Sequence, residues 1–171
     1  TEGFQNSLQV TKTWHLRTPE NSDLAVIDTP AGLTRQELIS ATRGADAILI
    51  PVMPSDIDIH AVMKCISDLL LVAKIPRPDM KIGIIANRVR ANTRVYGQLK
   101  KFLSILDIPV VATLRDSQNY TRAFEFGMGI HEMPFSQVKK DIDAWSDIMG
   151  WLDRLRERNL GQPSAIHYLR G

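Results

Sequence analysis

The chain has 171 residues, 44% of them hydrophobic and 23% charged, with a formal net charge of +2. That balance suits one ordinary globular domain with a sizeable core. The single cysteine, Cys65, excludes an internal disulfide and a thiolate-held metal or iron–sulfur cluster, and no run approaches the ~18 apolar residues of a membrane span.

The first twenty residues carry no strong period. Residues 24–28, Leu-Ala-Val-Ile-Asp, then place four apolar residues before a carboxylate, and Thr-Pro-Ala-Gly turns the chain. Such a run predicts a short strand buried on both faces. Thr34-Arg35-Gln36-Glu37 reads as a capping box opening a short helix to about residue 43. Residues 45–52 predict a second buried strand, and Ser55-Asp56 caps an apolar-rich helix over 57–74 that Pro76 and Pro78 end. A third strand spans 81–87. A helix over 93–106 follows, with Val95, Leu99, Phe102, Leu103 and Leu106 on one face.

Asp107 and Pro109 break that helix, and 109–114 is a fourth strand. A helix over 117–126 closes at Gly127-Met128-Gly129, with a short strand near 130–132. The last helix covers 136–158 and carries a core stripe of Val138, Ile142, Trp145, Met149 and Leu152. A tail over 160–171 opens on Gly161-Gln162-Pro163-Ser164.

Strands alternating with helices of this length predict an α/β fold, a mostly parallel sheet with helices on both faces. In such sheets ligands bind beyond the carboxyl ends of the strands. Asp28 to Gly32, Pro51 to Ser55, Asn87-Arg88 and Arg115-Asp116 fall there. An acid at a strand end can order a hydrated Mg²⁺, and a glycine four residues later lets a backbone N–H approach a terminal phosphate. This is a Walker B and switch II arrangement. The structural alternatives are a strand-end acid, a Pro-Gly turn, a turn-forming asparagine and a helix N-cap.

Between residues 77 and 101 stand seven basic residues, Arg77, Lys81, Arg88, Arg90, Arg94, Lys100 and Lys101, against the one acid Asp79. The band suits nucleic-acid phosphates or, more simply, a solvated helix face beside a nucleotide site. Arg154, Arg156 and Arg158 do not share a helix face and are weaker candidates. The four histidines show no metal-ligand spacing.

Taken in order, Asp-Leu-Ala-Val-Ile-Asp-Thr-Pro-Ala-Gly, Ala-Asp-Ala-Ile-Leu-Ile-Pro-Val-Met-Pro-Ser and Ile-Ile-Ala-Asn-Arg-Val resemble the ParA/MinD ATPases. Ile-Pro-Val-Val-Ala-Thr-Leu-Arg-Asp-Ser and Phe-Glu-Phe-Gly-Met-Gly-Ile extend the match, which covers residues 24–155 and is nearest the small ParA-type partition and cargo-positioning proteins. The resemblance implies a P-loop NTPase architecture of the SIMIBI type, with ATP and Mg²⁺ as ligands. It makes Asp28 the water-mediated Mg²⁺ acid and Gly32 the γ-phosphate sensor. Asn87 and Arg88 then contact adenine, and Arg115, Asp116 and Ser117 close over the purine largely through backbone groups.

The departure from the family is the phosphate loop. No Gly-x-x-x-x-Gly-Lys-Thr or Gly-Gly pattern occurs, so the first strand–P-loop–helix unit has no counterpart here. No catalytic residue is identifiable, and the switch I acid is missing. Taken as complete, the chain is expected to bind ATP poorly; taken as part of a longer protein, activity resides in that protein. The second reading is preferred, because a sheet without its central strand would leave an unpaired interior.

The function implied is a ParA-type ATPase whose ATP-dependent homodimer binds nucleoid DNA without sequence preference and positions DNA or a large cargo. A ParB-like or cargo-adaptor protein would stimulate hydrolysis. Arg77, Lys81, Arg90, Arg94, Lys100 and Lys101 are the DNA-contact candidates. Localisation is expected to be cytoplasmic, at the nucleoid. A non-catalytic interaction module is the alternative. A MinD-like membrane-cycling ATPase is disfavoured by the broken, weakly apolar tail.

Overall fold

The computed structural model describes residues 24–30, 32–75 and 81–160. The chain divides into two units, Thr1–Ala45 and Asp46–Gly171.

In the first unit the capping box forms as expected. Helix α1, Arg35–Thr42, starts at Thr34, whose hydroxyl accepts from the Glu37 N–H at 3.3 Å while Glu37 Oε2 accepts from the Thr34 N–H at 2.8 Å. The Thr34 hydroxyl, donating to Glu37 Oε2 at 2.7 Å, and then the Thr34 N–H hold the Glu37 carboxyl below its ordinary pKa. The strand expected over residues 24–28 does not form: the segment has no regular secondary structure, and Leu24 and Val26 are 66% and 85% exposed. An apolar run supplies the side chains of a buried strand but not its hydrogen-bonding neighbour, and among the described residues this run has no ladder partner. Gly32, at φ +73°, makes the left-handed turn for which glycine is suited.

The second unit is built on a parallel sheet of β1 (Ile48–Val52), β2 (Ile82–Val89) and β3 (Val110–Arg115), in the order β1-β2-β3. Ile48 to Val52 lie opposite Ile82 to Ala86, and Ile84 lies opposite Val110. From Ile82 to Ala86 every residue of β2 is buried, as a strand covered on both faces requires. Side-chain alternation sends Ile85 to one face and Ala86 to the other. On the first face Ile85, Ala112 and Leu114 enclose Ile148 of helix α5 (Phe135–Leu160). On the second, Ala86 looks toward Tyr96 and Leu103 of α3 (Arg94–Leu103). Helices therefore cover both faces, and the α/β expectation holds.

Local signals place most helix starts. Ser55 caps α2 (Asp56–Leu71), accepting from the Asp58 N–H at 3.1 Å. Thr93 caps α3, accepting from Tyr96 at 3.3 Å, and Ser117 caps α4 (Gln118–Glu125), accepting from Asn119 at 3.2 Å. Helix α2 stops at Leu71, short of residue 74: the Ala73 and Ile75 N–H groups turn back to the Asp68 and Leu69 carbonyls, with Lys74 left-handed at φ +53°. Pro76 and Pro78 lie outside the described residues. Cys65 is half-buried on α2, and burial raises its thiol pKa.

Two further expectations are corrected. Ile130–Glu132 is a 3₁₀ turn rather than a strand, closed by Glu132 N–H to the Gly129 carbonyl (3.0 Å) and Gly129 N–H to Glu132 Oε2 (2.6 Å). A one-turn local ring needs no partner strand. On α5 the expected stripe holds at Val138, which is buried, and at Trp145 and Leu152, which pack half-buried against the core. Met149, however, is 48% exposed, and the fully buried positions are Val138, Asp141, Ile148, Trp151 and Leu155. An acid occupies one of these buried positions, so a purely apolar periodicity passes over it. Among the described residues, no helix is long and apolar enough to cross a membrane.

Candidate functional site at the carboxyl edge of the sheet

Because β1, β2 and β3 are parallel, Val52, Asn87 to Val89 and Arg115 share one edge of the sheet. The end of β2 is irregular there: the register shifts between Ala86 and Val89, and Arg88 takes φ +50°. A non-glycine residue in this region is costly and recurs where a side chain is re-aimed for a ligand. Asn87 stabilises the turn, its Oδ1 accepting the Arg88 N–H at 2.9 Å. That leaves the Asn87 Nδ2 donors without a partner among the described residues.

Asp116 continues β3 and locks onto the end of β2. Its N–H donates to the Val89 carbonyl at 3.0 Å, Oδ2 accepts from Arg90 Nε at 2.7 Å, and Arg88 Nε lies 3.6 Å from Oδ1. The Arg90 hydrogen bond, aided by both arginine charges, holds the Asp116 carboxyl below its ordinary pKa. Both arginines are largely exposed, so the clamp contributes geometry more than stability.

The neighbours of Asp116 turn the other way. Arg115 forms a two-pronged pair with Asp141 of α5, Nε to Oδ1 at 2.7 Å and Nη2 to Oδ2 at 2.8 Å. Asn119 Nδ2 donates to Oδ2 at 2.8 Å and to the Gln137 carbonyl at 3.0 Å, and the Ser117 hydroxyl lies 3.5 Å from Oδ2. Asp141 is 1% exposed. Burial raises its pKa, but the Arg115 and Asn119 hydrogen bonds outweigh it and leave the carboxyl below its ordinary value. Arg115 is raised in turn, chiefly by its hydrogen bond to Asp141. Beyond them Trp145 Nε1 donates to the Tyr120 hydroxyl at 3.2 Å, and His131 meets the Trp145 ring edge-on at 6.2 Å.

Of the residues singled out in the sequence, Asn87, Arg88, Arg115, Asp116 and Ser117 thus meet at one edge. Asp28 and Gly32 lie in the first unit. Arg90 joins the Asp116 clamp, while Arg94 and Lys101, seven residues apart, share an exposed face of α3. Lys100 turns over the Tyr96 ring at 5.0 Å, Lys81 is half-buried at the foot of β2, and Arg77 lies outside the described residues. Asn119 and Asp141 were not legible as site residues. The one available signal was an acid seven residues before Ile148 and three after Val138, on the face that α5 buries.

The edge offers hydrogen-bonding groups of the size and polarity of a base. A groove of about 310 Å³ between α3 and β3, lined by Ala86, Tyr96, Lys100, Leu103, Ser104, Val110 and Thr113, is too apolar for a phosphate chain. Among the described residues no cluster of three or more acidic, histidine or cysteine ligands exists, and the sequence contains no phosphate cradle. The residues of this edge fit a base. They do not fit a triphosphate, and no hydrolytic step is assigned to them.

No protein-family model matches the chain. Over 114 residues it is 25% identical to the maintenance of carboxysome distribution protein A of Halothiobacillus neapolitanus, covering 66% of this chain and 52% of that protein. Its fold matches the MinD cell division protein of Aquifex aeolicus with a TM-score of 0.53 and 19% identity, over 82% of this chain and 54% of that one. The chain spans about half the length of these relatives. The chain is thus similar in sequence to the first protein and shares the fold of the second.

Proposed function

We propose that the chain forms the base-binding part and the Walker B segment of a ParA-type positioning ATPase. In this reading ATP and Mg²⁺ drive homodimerisation, the dimer binds nucleoid DNA without sequence preference, and a ParB-like or cargo-adaptor partner triggers hydrolysis and release. The protein works in the cytoplasm at the nucleoid, distributing DNA or a large cargo. The observation that carries the reading is the convergence of Asn87, Arg88 and the Arg115 to Ser117 segment on the carboxyl edge, where open α/β sheets bind ligands. The Asn87 Nδ2 donors, without a partner among the described residues, suit the ring-nitrogen acceptors of adenine. Arg94 and Lys101, exposed on one face of α3, are the DNA-contact candidates best supported by their placement.

The test is Mg²⁺-dependent ATP turnover by the full-length protein and by its Asp28→Ala variant. Turnover should disappear in the variant; unchanged turnover removes Asp28 from the ion site. DNA binding of the ATP-loaded protein should fall steeply between 50 and 200 mM salt, as counterion release requires. Salt-insensitive binding counts against the positioning reading. The non-catalytic module is favoured by one observation, the absence of a phosphate-loop pattern from the sequence, and it predicts no turnover at all.

A further inference from the structure

We infer that Asp141 is a positioning residue: through Arg115, Asn119 and Ser117 it fixes the backbone of the segment that closes over the base. The inference rests on the base-site reading above. Three elements meet on this one carboxylate, namely the last residue of β3, the N-cap and first turn of α4, and α5 itself. Extended backbone from Arg115 to Ser117 alternates the side chains, and the first turn of α4 brings Asn119 round to the same carboxylate. Residues 115, 117 and 119 reach inward to Asp141, while Asp116 between them faces Arg88 and Arg90. The segment is thereby held from both sides, with the exposed clamp on one and a 1% exposed anchor on the other.

Stability alone does not account for such an anchor. Burying a charge is expensive, and a buried ion pair is often matched or bettered by well-packed apolar residues of similar volume. An apolar side chain at residue 141 would continue the α5 stripe between Val138 and Ile148 without a break. What it could not do is set the angle of the Arg115 guanidinium or share a carboxylate with Asn119. A two-pronged arginine–carboxylate contact fixes orientation as well as distance. A site that binds through backbone groups needs this kind of support, because a displacement of about 1 Å removes its hydrogen bonds.

The experiment has two arms, both on the full-length protein and on the near-isosteric Asp141→Asn. Amide hydrogen exchange reads positioning without any nucleotide. Protection of the 116–120 amides should fall at least tenfold more than that of residues 84–86, whose own loss reports the drop in global stability. Unaltered protection at 116–120, or an equal loss throughout β2 and α5, overturns the proposal. The second arm compares ATP and GTP affinity. The variant should lose at least fivefold of any preference for ATP, whereas Ile148→Val, a comparable weakening of the same helix, should keep it. An intact preference in Asp141→Asn overturns the proposal. A wild-type protein without preference overturns the base-site reading instead, and the exchange arm then decides the role of Asp141 by itself.

Discussion

Gly83, the second residue of β2, lies opposite Leu49, and the sheet packs so closely there that a methyl group has nowhere to go. A Cβ built on it would meet Val111 Cγ2 well inside van der Waals contact, and Cη2 and Cζ2 of Trp151 at 3.0 Å. Neither neighbour yields easily. Val111 is β-branched and stiff about χ1, and Trp151 is 7% exposed, wedged between α5 and the sheet. Overpacking of this kind costs ~1–3 kcal/mol. Alanine recovers ~0.5–1 kcal/mol of backbone entropy relative to glycine in a strand. The net expectation for Gly83→Ala is a loss of about 1–2 kcal/mol, or a fall in Tm of roughly 3–8 °C. Urea unfolding followed by circular dichroism measures the loss, and tryptophan fluorescence follows the Trp151 contact. Adding Val111→Ala should recover part of the clash, so the double variant should lose at least ~0.5 kcal/mol less than the sum of the singles. A Gly83→Ala protein as stable as wild type, or additive losses, would refute the packing described for this face.

The orientation of α5 gives a second test: Ile148→Ala, at 2% exposure, should cost ~2–4 kcal/mol, whereas Met149→Ala, at 48%, should cost under ~1 kcal/mol. Equal losses in thermal denaturation would contradict the assigned face. A third concerns acid. The folded pKa of Asp141 lies below its unfolded value, so its contribution is complete above the ordinary carboxylate range and is lost as pH falls through the folded value. Asp141→Asn should therefore be less stable than wild type at neutral pH and show a shallower decline toward pH 2. Parallel curves of urea midpoint against pH would remove Asp141 from the acid limb.

Much of the site was legible because it depends on short-range chemistry. Thr34 with Glu37, Ser55, Thr93 and Ser117 each satisfy a backbone N–H two or three residues away, so their cap roles follow from local sequence alone. Asn87-Arg88 and Arg115-Asp116 were legible as strand ends for the same reason. The clamp between them was not, since Arg90 and Asp116 are 26 residues apart and nothing local pairs them. Lys101 and Arg94 remained in the charge band that the composition suggested, while Arg90 and Lys100 acquired partners within the fold.

The sequence by itself determined the alternation of strands and helices, the caps and the strand-end polar residues, because each follows from hydrogen bonds and periodicity within a few positions. Only the tertiary structure decided which positions of α5 are most deeply buried and that residues 24–28 have no ladder among the described residues. It alone turned an acid in an apolar helix stripe into the anchor of the sheet edge. A strand needs a neighbour and a buried charge needs a counter-charge, and both partners come from distant parts of the chain. Asp141 is tolerable inside the protein only because β3 delivers Arg115 to it.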